Sequence, residues 1–133
     1  MPNEANTDEL EVGSGKFKYR AVRQWERLPQ DWTFVEAVSV AVDSQDRVYV
    51  FNRGEHPVIV FDRDGNFLNA WGEGKFDRPH GIWIGPDDTL YLSDDRGQTV
   101  SKYTPDGQPL MTLGTKGSAS DTGVTDSDYR TIQ

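Results

Sequence analysis

The chain has 133 residues, of which 14 are basic and 22 are acidic, giving a formal net charge of −8. This length is typical of one domain. The acidic balance argues against a nucleic-acid interface that tracks phosphates and against docking on an anionic membrane. Because there is no cysteine, neither a disulfide nor a thiolate metal site can form. From the acidic charge balance we expect neither nucleic acid nor a membrane among the partners.

The first residues are acidic and polar. Residues 1–15 have too little apolar surface to offset the entropy of ordering, so we predict a disordered tail. They do not resemble a signal peptide, and no apolar stretch is long enough to span a bilayer. The compartment is therefore unknown, with the cytoplasm as the default expectation. Apolar and basic residues then alternate from Lys16 towards Trp25, which predicts an N-terminal strand and lead-in over residues 16–37.

Residues 38–79 and 80–117 repeat each other at a spacing of 42 residues. Identical residues at this spacing include Asp46 and Asp88, Tyr49 and Tyr91, Val58 and Val100, Leu68 and Leu110, and Gly72 and Gly114. A period near 40 residues, built from short strands and Asp-Gly hairpin turns, is typical of a propeller blade. The sequence therefore predicts an all-β fold of two four-stranded antiparallel blades, which is an incomplete propeller.

The repeat pattern stops after Gly114. Residues 118–133 are polar and show no clear strand period, so we expect them to be the start of a missing blade. A single blade cannot bury its own faces. Missing blades or self-association would therefore be needed to complete the propeller.

The two histidines lie in different contexts. His80 is in the link that enters the first strand of the second repeat, where a side chain of a propeller can face the central channel. The matching residue of the first repeat is Val38, so blade architecture does not require a histidine there. His80 is thus a candidate metal ligand, with a structural or solvated turn residue as the alternative. We interpret His56 as a surface loop residue.

Arg53 is a candidate binding residue, because a guanidinium can present a fork to a carboxylate or a carbonyl. The alternative is an ion pair with Asp94 or Asp95 that holds the two blades in register. Acidic stretches at Asp87-Asp88 and at residues 121–128 lack the spacing of an EF-hand calcium loop. Turn formation and solubility explain these stretches better than calcium binding does.

Several short stretches resemble the NHL-repeat family, whose members are six-bladed propellers. They are Val-Ala-Val-Asp (40–43), Val-Tyr-Val (48–50), Asp-Gly-Asn-Phe (64–67), Trp-Gly-Glu-Gly (71–74) and Arg-Pro-His-Gly-Ile (78–82). The resemblance covers roughly residues 16–117. Phe-Asn-Arg-Gly-Glu-His (51–56) and Pro-His-Gly-Ile (79–82) narrow it to the peptidyl-α-hydroxyglycine α-amidating lyases.

This resemblance implies a zinc ion held by three histidines from different blades, a structural calcium ion, and cleavage of a peptidyl-α-hydroxyglycine to a peptide amide and glyoxylate. By motif, His80 matches the first zinc histidine and Arg53 matches an active-site arginine. Val40 and Ile82 match positions whose backbone carbonyls contribute to the calcium site. A catalytic zinc site needs about three protein ligands, and no histidine follows His80. We therefore expect the chain alone to be inactive.

Two other hypotheses stay open. In the first, the chain is a non-catalytic NHL module that binds a peptide or a protein, and Arg53 and His80 serve recognition or scaffolding. In the second, three copies of the two-blade chain form one six-bladed ring, which would bring three His80 side chains to the axis.

Overall fold

The computed structural model describes residues 10–119. This part of the chain is all β, with one two-stranded and two four-stranded antiparallel sheets and no helix among the described residues. The strands are β1 (Glu11–Ser14), β2 (Phe17–Arg20), β3 (Ala37–Val42), β4 (Val48–Asn52), β5 (Val58–Phe61), β6 (Phe67–Trp71), β7 (Pro79–Ile84), β8 (Leu90–Asp94), β9 (Thr99–Tyr103) and β10 (Pro109–Leu113).

The two four-stranded sheets confirm the predicted blades. Blade 1 has the strand order β3-β4-β5-β6 and blade 2 the order β7-β8-β9-β10, so each blade is a simple meander. Their irregularities repeat as well. Val38 and His80 are each an extra residue where the first strand pairs with the second, and Leu68 and Leu110 are extra residues in the fourth strands. The 42-residue spacing therefore holds in the backbone and in the positions of its β-bulges.

The core lies between the two blades. Alternate residues of a strand face opposite sides of its sheet, so Tyr49 and Phe51 of β4 point towards blade 2 and are fully buried, whereas Val48 and Val50 point the other way. The buried core consists of Tyr49, Phe51, Val58, Val60, Trp71, Leu90, Leu92 and Tyr103. Burying one such large side chain contributes about 1.5–3 kcal/mol, so this interface holds the two sheets together.

Two tryptophans play the same part at successive blades. The indole Nε1 of Trp71 donates to the carbonyl oxygen of Pro105 at 3.2 Å. Trp25 donates in the same way to the carbonyl oxygen of Arg63 at 3.1 Å, and Arg63 is the repeat counterpart of Pro105. Trp25 therefore occupies on blade 1 the position that Trp71, at the end of β6, occupies on blade 2.

The aromatic residues that follow these tryptophans, Phe34 and Phe76, also make equivalent contacts in the two blades. The rings of Phe34 and Phe61 lie 6.1 Å apart, and those of Phe76 and Tyr103, at the counterpart positions, lie 6.0 Å apart. Residues 25–34 thus cover the outer part of the free face of blade 1. They stand where the end of a fourth strand from a preceding blade would stand.

The N-terminal segment differs from its prediction. Instead of one strand from Lys16 towards Trp25, β1 and β2 form a hairpin in which Val12 pairs with Tyr19. The tail expected over residues 1–15 is wrong for β1, because its main chain is paired with β2 along its length. Residues 1–9 lie outside the described residues, as do residues 120–133, which include most of the expected polar tail. Within residues 10–119, no helix is long and apolar enough to cross a membrane.

Candidate functional site

His80 lies at the start of β7, at the end of the blades where β4 and β8 terminate. It is the extra residue of the bulge between Pro79 and Gly81, and its side chain is exposed. A bulge residue escapes the regular alternation of the strand and can be aimed independently of it. The local backbone therefore presents His80 to solvent at this end of blade 2.

Arg53 directly follows β4 at the same end. Its backbone N–H donates to the carbonyl oxygen of Val35 at 2.7 Å. Its side-chain Nε donates to the carbonyl oxygen of Pro79 at 3.1 Å, and its Nη1 forms an ion pair with Glu36. The predicted partners of Arg53, Asp94 and Asp95, are therefore wrong. Arg53 nevertheless joins blade 1 to blade 2, through the hydrogen bond to the carbonyl of Pro79 and not through an ion pair.

Asp94 has a different role, in which its carboxylate closes the connection between the blades. The side chain is buried and accepts three backbone N–H groups, from Asp77 at 2.6 Å, Gly97 at 2.7 Å and Arg78 at 2.9 Å. Burial works to raise the pKa of Asp94. The three N–H groups outweigh burial and hold this pKa below its usual range. Asp94 is therefore ionised at neutral pH and orders the link into β7.

Asp95 pairs with Arg78, whose Nε and Nη2 donate to the two carboxylate oxygens at 2.9 Å and 2.5 Å. The hydrogen bond from Arg78 lowers the pKa of Asp95, and the nearby His80 contributes in the same direction. Asp95 is engaged by a bidentate arginine.

The two ion pairs at this end of the blades are counterparts with reversed charges. Glu36 and Arg78 are 42 residues apart, and so are Arg53 and Asp95. In each pair the first residue precedes the first strand of its blade (β3 or β7), and the second follows the second strand (β4 or β8). The two pairs therefore occupy the same place in each blade. We did not single out Glu36 from the sequence. The reversal of charge at the 42-residue spacing was the signal that could have revealed it.

Val40 and Ile82 lie midway along the first strands of the two blades, β3 and β7. The N–H of Ile82 donates to the Oγ of Ser39 at 3.3 Å, on blade 1, so it faces away from β8. In an antiparallel strand the N–H and C=O groups of one residue point to the same side. The carbonyl of Ile82 is therefore on the edge of β7 that has no strand of its own sheet, and Val40 is its repeat counterpart on β3.

Among residues 10–119, no group of three or more His, Cys, Asp or Glu side chains is arranged to hold a metal ion. His80 is thus a single candidate ligand, and this part of the chain does not fit a complete zinc site.

His56, expected to be a surface loop residue, is more constrained than that. Its ring stacks on Trp32 with centroids 3.4 Å apart, and its Nδ1 lies 2.8 Å from Oε1 of Glu73. This hydrogen bond lowers the pKa of Glu73. His56 therefore fastens the lead-in segment to the end of blade 1, at some distance along the chain from the His80 bulge.

The acidic turn at the opposite end of blade 2 serves structure. Asp87 accepts the N–H and hydroxyl of Thr89, and the carboxylate of Asp88 accepts the N–H of Ser44 at 2.9 Å and its hydroxyl at 2.5 Å. Asp88 of blade 2 is thereby hydrogen-bonded to Ser44 of blade 1 and links the two blades. The acidic run at residues 121–128 lies outside the described residues.

No family model matches the chain. Human NHL repeat-containing protein 3 is 35% identical over 112 residues, which are 77% of this chain and 32% of that protein. The mouse protein of the same name is 39% identical over 88 residues, 59% of this chain and 25% of that protein. Peptidyl-alpha-hydroxyglycine alpha-amidating lyase 1 of Drosophila melanogaster is 40% identical over 53 residues, 38% of this chain and 10% of that protein.

The chain thus spans about a third or less of the length of each of these relatives. Its homology to NHL repeat-containing proteins agrees with its two four-stranded antiparallel meanders. The described residues therefore form two NHL-type blades of an incomplete β-propeller.

Proposed function

We propose that the chain is part of a six-bladed NHL propeller similar to the peptidyl-α-hydroxyglycine α-amidating lyases, and that it is inactive alone. The observation that carries this proposal is the hydrogen bond from Arg53 to the carbonyl of Pro79. It holds the candidate active-site arginine next to the residue that precedes His80. The proposed reaction yields a peptide amide and glyoxylate, with Arg53 stabilising negative charge on oxygen.

In this proposal His80 supplies one zinc ligand, and the carbonyls of Val40 and Ile82 contribute to a calcium site. The outward direction of the Ile82 N–H and C=O groups supports the second assignment. One histidine does not make a zinc site. The remaining ligands would have to come from further blades, so we derive no reaction step through zinc from this chain.

A non-catalytic NHL module that binds a peptide or protein is the second candidate. The reversed ion pairs favour it, because the pairing of Arg53 with Glu36 has a counterpart in blade 2 and thus belongs to the blade architecture. The relative that covers 77% of this chain is named for its repeats and for no reaction. In this case Arg53 and His80 would be recognition or scaffold residues.

A zinc titration followed through the imidazole resonances of the two histidines tests the first candidate. We expect zinc to shift the ring nitrogens of His80, because this side chain is exposed. His56 should shift less, because Glu73 and Trp32 engage its ring. In the same samples, a peptidyl-α-hydroxyglycine should release no glyoxylate above the buffer rate, because two of three ligands are lacking.

The matched variants are His80→Ala, which should abolish the shift, and His56→Ala, which should preserve it. Zinc that perturbs only His56, or neither histidine, would remove the support for a zinc role of His80 and favour the binding module.

The free faces of the two blades indicate where further blades would pack. On blade 1, Val40 and Val42 are 61% and 55% exposed, and Val40 lines an open apolar groove of about 420 Å³ together with Val48 and Val50. On blade 2, Trp83 is 57% exposed. Water-exposed apolar surface of this kind is unfavourable in an isolated protein. We propose that both faces are covered by neighbouring blades.

The structure disfavours the ring of three copies. In such a ring, Leu113 of a neighbouring copy, at the repeat position of Trp71, would have to dock where Trp25 already lies on blade 1. We therefore expect native mass spectrometry of the purified chain to show no discrete trimer. A trimer carrying one zinc ion would show instead that Trp25 is displaced and that three His80 side chains meet.

A further inference from the structure

Lys102 lies at a position that belongs to the inter-blade core in blade 1. Its repeat counterpart, Val60, is 3% exposed and packs between the two blades. Lys102 is on the same face of blade 2 as Trp83 and Tyr91, which is free in the part of the chain that the structure describes. An ammonium group is costly to bury without a partner. A blade that covers this face must therefore provide for the charge of Lys102.

A cation lies over the repeat tyrosine in both blades, but different strands supply it. In blade 1 the guanidinium carbon of Arg47 is 6.0 Å from the ring centroid of Tyr49. Blade 2 has Thr89 at the position of Arg47, and there Nζ of Lys102, from β9, is 5.3 Å from the ring centroid of Tyr91. Cation–π contacts are favourable within about 6 Å. The cation therefore comes from the start of the second strand in blade 1 and from the third strand in blade 2.

Each cation is also held by an acid from the turn between the first two strands of its blade. Nε of Arg47 lies 2.6 Å from Oδ2 of Asp43, and Nζ of Lys102 lies 3.6 Å from Oδ2 of Asp87. The side chain of Asp43 is fully buried, whereas that of Asp87 is 60% exposed. The two blades thus contain the same arrangement of acid, cation and aromatic ring, which is closed in blade 1 and open to solvent in blade 2.

The hairpin turn of blade 2 closes this arrangement in blade 1. Arg47 and Val60 line the same recess as Asp106, which belongs to the Asp-Gly turn between β9 and β10. Burial works to lower the pKa of Arg47, the hydrogen bond to Asp43 outweighs it, and the charge of Asp106 adds to the rise. Since Lys102 is the counterpart of Val60, the same turn of a further blade would lie against Lys102.

We propose that Lys102 is the residue by which blade 2 selects its neighbour, and that this neighbour is a further four-stranded blade with a carboxylate in its hairpin turn. The ammonium group would form an ion pair with that carboxylate across the interface, while Asp87 keeps it over Tyr91. The interface between blades 1 and 2 is the template for this packing, and the charge of Lys102 is complementary to the turn. This inference rests on the proposed covering of blade 2 by a neighbouring blade and holds for either candidate function.

A second copy of the chain is a poor occupant of this face. Its blade 1 would have to present the Asp64-Gly65 turn, and the lead-in already lies on that turn. Nη1 of Arg27 donates to the carbonyl oxygen of Asp64 at 2.8 Å, and the backbone N–H of Arg27 donates to that of Gly65 at 2.8 Å. The chain therefore supplies its own cation at this turn. We expect analytical ultracentrifugation to show a monomer whose mass is unchanged in Lys102→Glu.

The test adds a third blade to the full chain by repeating residues 72–113 once, between Leu113 and Gly114. Gly72 and Gly114 are repeat counterparts, so both junctions keep the 42-residue spacing. The repeated Asp106 would then face Lys102 of the middle blade, as the original Asp106 faces Arg47. Amide hydrogen exchange of the third blade measures how often this blade opens.

We expect Lys102→Met in the middle blade to speed this exchange about threefold to tenfold, because it removes a contact across the interface. Lys102→Met in the third blade is the matched control and should leave the exchange unchanged, since no further blade covers that lysine. Asp106→Asn in the third blade should speed the exchange as the middle-blade lysine variant does. Combining these two variants should add nothing further, because both remove the same ion pair.

Trp83 makes the packing of the repeated blade demanding, because it stands where blade 1 has the small residue Ala41. The same series is therefore measured with Trp83→Ala in the middle blade. A third blade that exchanges like an unfolded chain in both backgrounds would overturn the proposal, and so would equal effects of the two Lys102→Met variants.

Dimers of the unextended chain that dissociate in Lys102→Glu would make a second copy the occupant, and the proposed blade would then be wrong. The zinc titration of His80 uses the unextended chain and does not involve Lys102. A failure of the proposed function is therefore seen separately from a failure of this inference.

Discussion

Asp94→Ala is expected to lower the free energy of unfolding by about 3–4 kcal/mol at pH 7, because it leaves buried donors without a partner. The carboxylate accepts the backbone N–H groups of Asp77, Arg78 and Gly97, and its side chain is buried. No other described side chain accepts hydrogen bonds from these groups. Urea denaturation, monitored by tryptophan fluorescence, measures the loss.

Blade 1 provides a comparison for this prediction. Asn52, the counterpart of Asp94, accepts the N–H groups of Val35 and Gly54 through Oδ1 and donates through Nδ2 to the carbonyl oxygens of His56 and Pro57. An amide suits Asn52 because donors and acceptors surround it. Asp94→Asn would instead point an NH₂ group at a backbone N–H, so it should also destabilise the protein, though less than alanine does.

The effect of Asp94 should depend on pH with a definite sign. Its pKa in the folded chain lies below the ordinary value of 3.8. A carboxylate with a lowered folded pKa contributes its stability above the unfolded pKa and loses it as the pH falls through the folded one. The difference between wild type and Asp94→Ala should therefore be largest above about pH 5 and shrink below about pH 4. A difference that is constant from pH 7 to pH 3 would contradict an ionised Asp94.

The repeat spacing predicted the blades well because side-chain alternation and turn chemistry are local properties. Asp-Gly at residues 64–65 and 106–107 forms hairpin turns with both glycines at positive φ, of +84° and +83°. The same spacing matched Val38 to His80, and the structure shows a bulge at both positions. Local rules of this kind can be applied to a single sequence without knowing the tertiary contacts.

The partners of charged residues could not be predicted in the same way. Asp94 and Asp95 are adjacent in sequence, yet one is buried among backbone N–H groups and the other reaches Arg78 at the surface. Asp94 is the last residue of β8, whereas Asp95 lies in the turn that follows, so two adjacent residues of the same type have different environments. Glu36 occupies the repeat position of Arg78, but the reversed charges indicate the pairing with Arg53 only once Arg78 is known to pair with Asp95.

The equivalence of Trp25 and Trp71 could not be predicted from the repeat spacing either. Nine positions separate Trp25 from Phe34, whereas five separate Trp71 from Phe76, so the tryptophans are 46 residues apart and fall outside the 42-residue pattern. The longer connection contains Trp32, which stacks on His56. An insertion in a connecting segment shifts the sequence register without changing the packing position.

Trp71→Ala is expected to cost about 3–5 kcal/mol, the range for removing a large buried aromatic side chain. Trp71 is 7% exposed, its ring lies 5.2 Å from that of Tyr103, and its Nε1 reaches the carbonyl of Pro105. It also covers Gly107, where an added Cβ would lie 2.5 Å from the indole. Alanine would thus open a cavity at the outer end of the inter-blade core. Trp71→Phe, which keeps an aromatic ring but loses the hydrogen bond, should cost less.

Trp25→Ala is the matched control, because Trp25 makes the corresponding hydrogen bond and packs 5.6 Å from Phe61. It is only half-buried, and the inner part of the face beside it is open. We therefore expect a loss of about 1–2 kcal/mol, since less apolar surface returns to water. If Trp25→Ala costs as much as Trp71→Ala in urea denaturation, the lead-in is as integral to blade 1 as β6 is to blade 2. The smaller loss would mean that this position reaches its full stability only when a neighbouring blade covers the groove beside it.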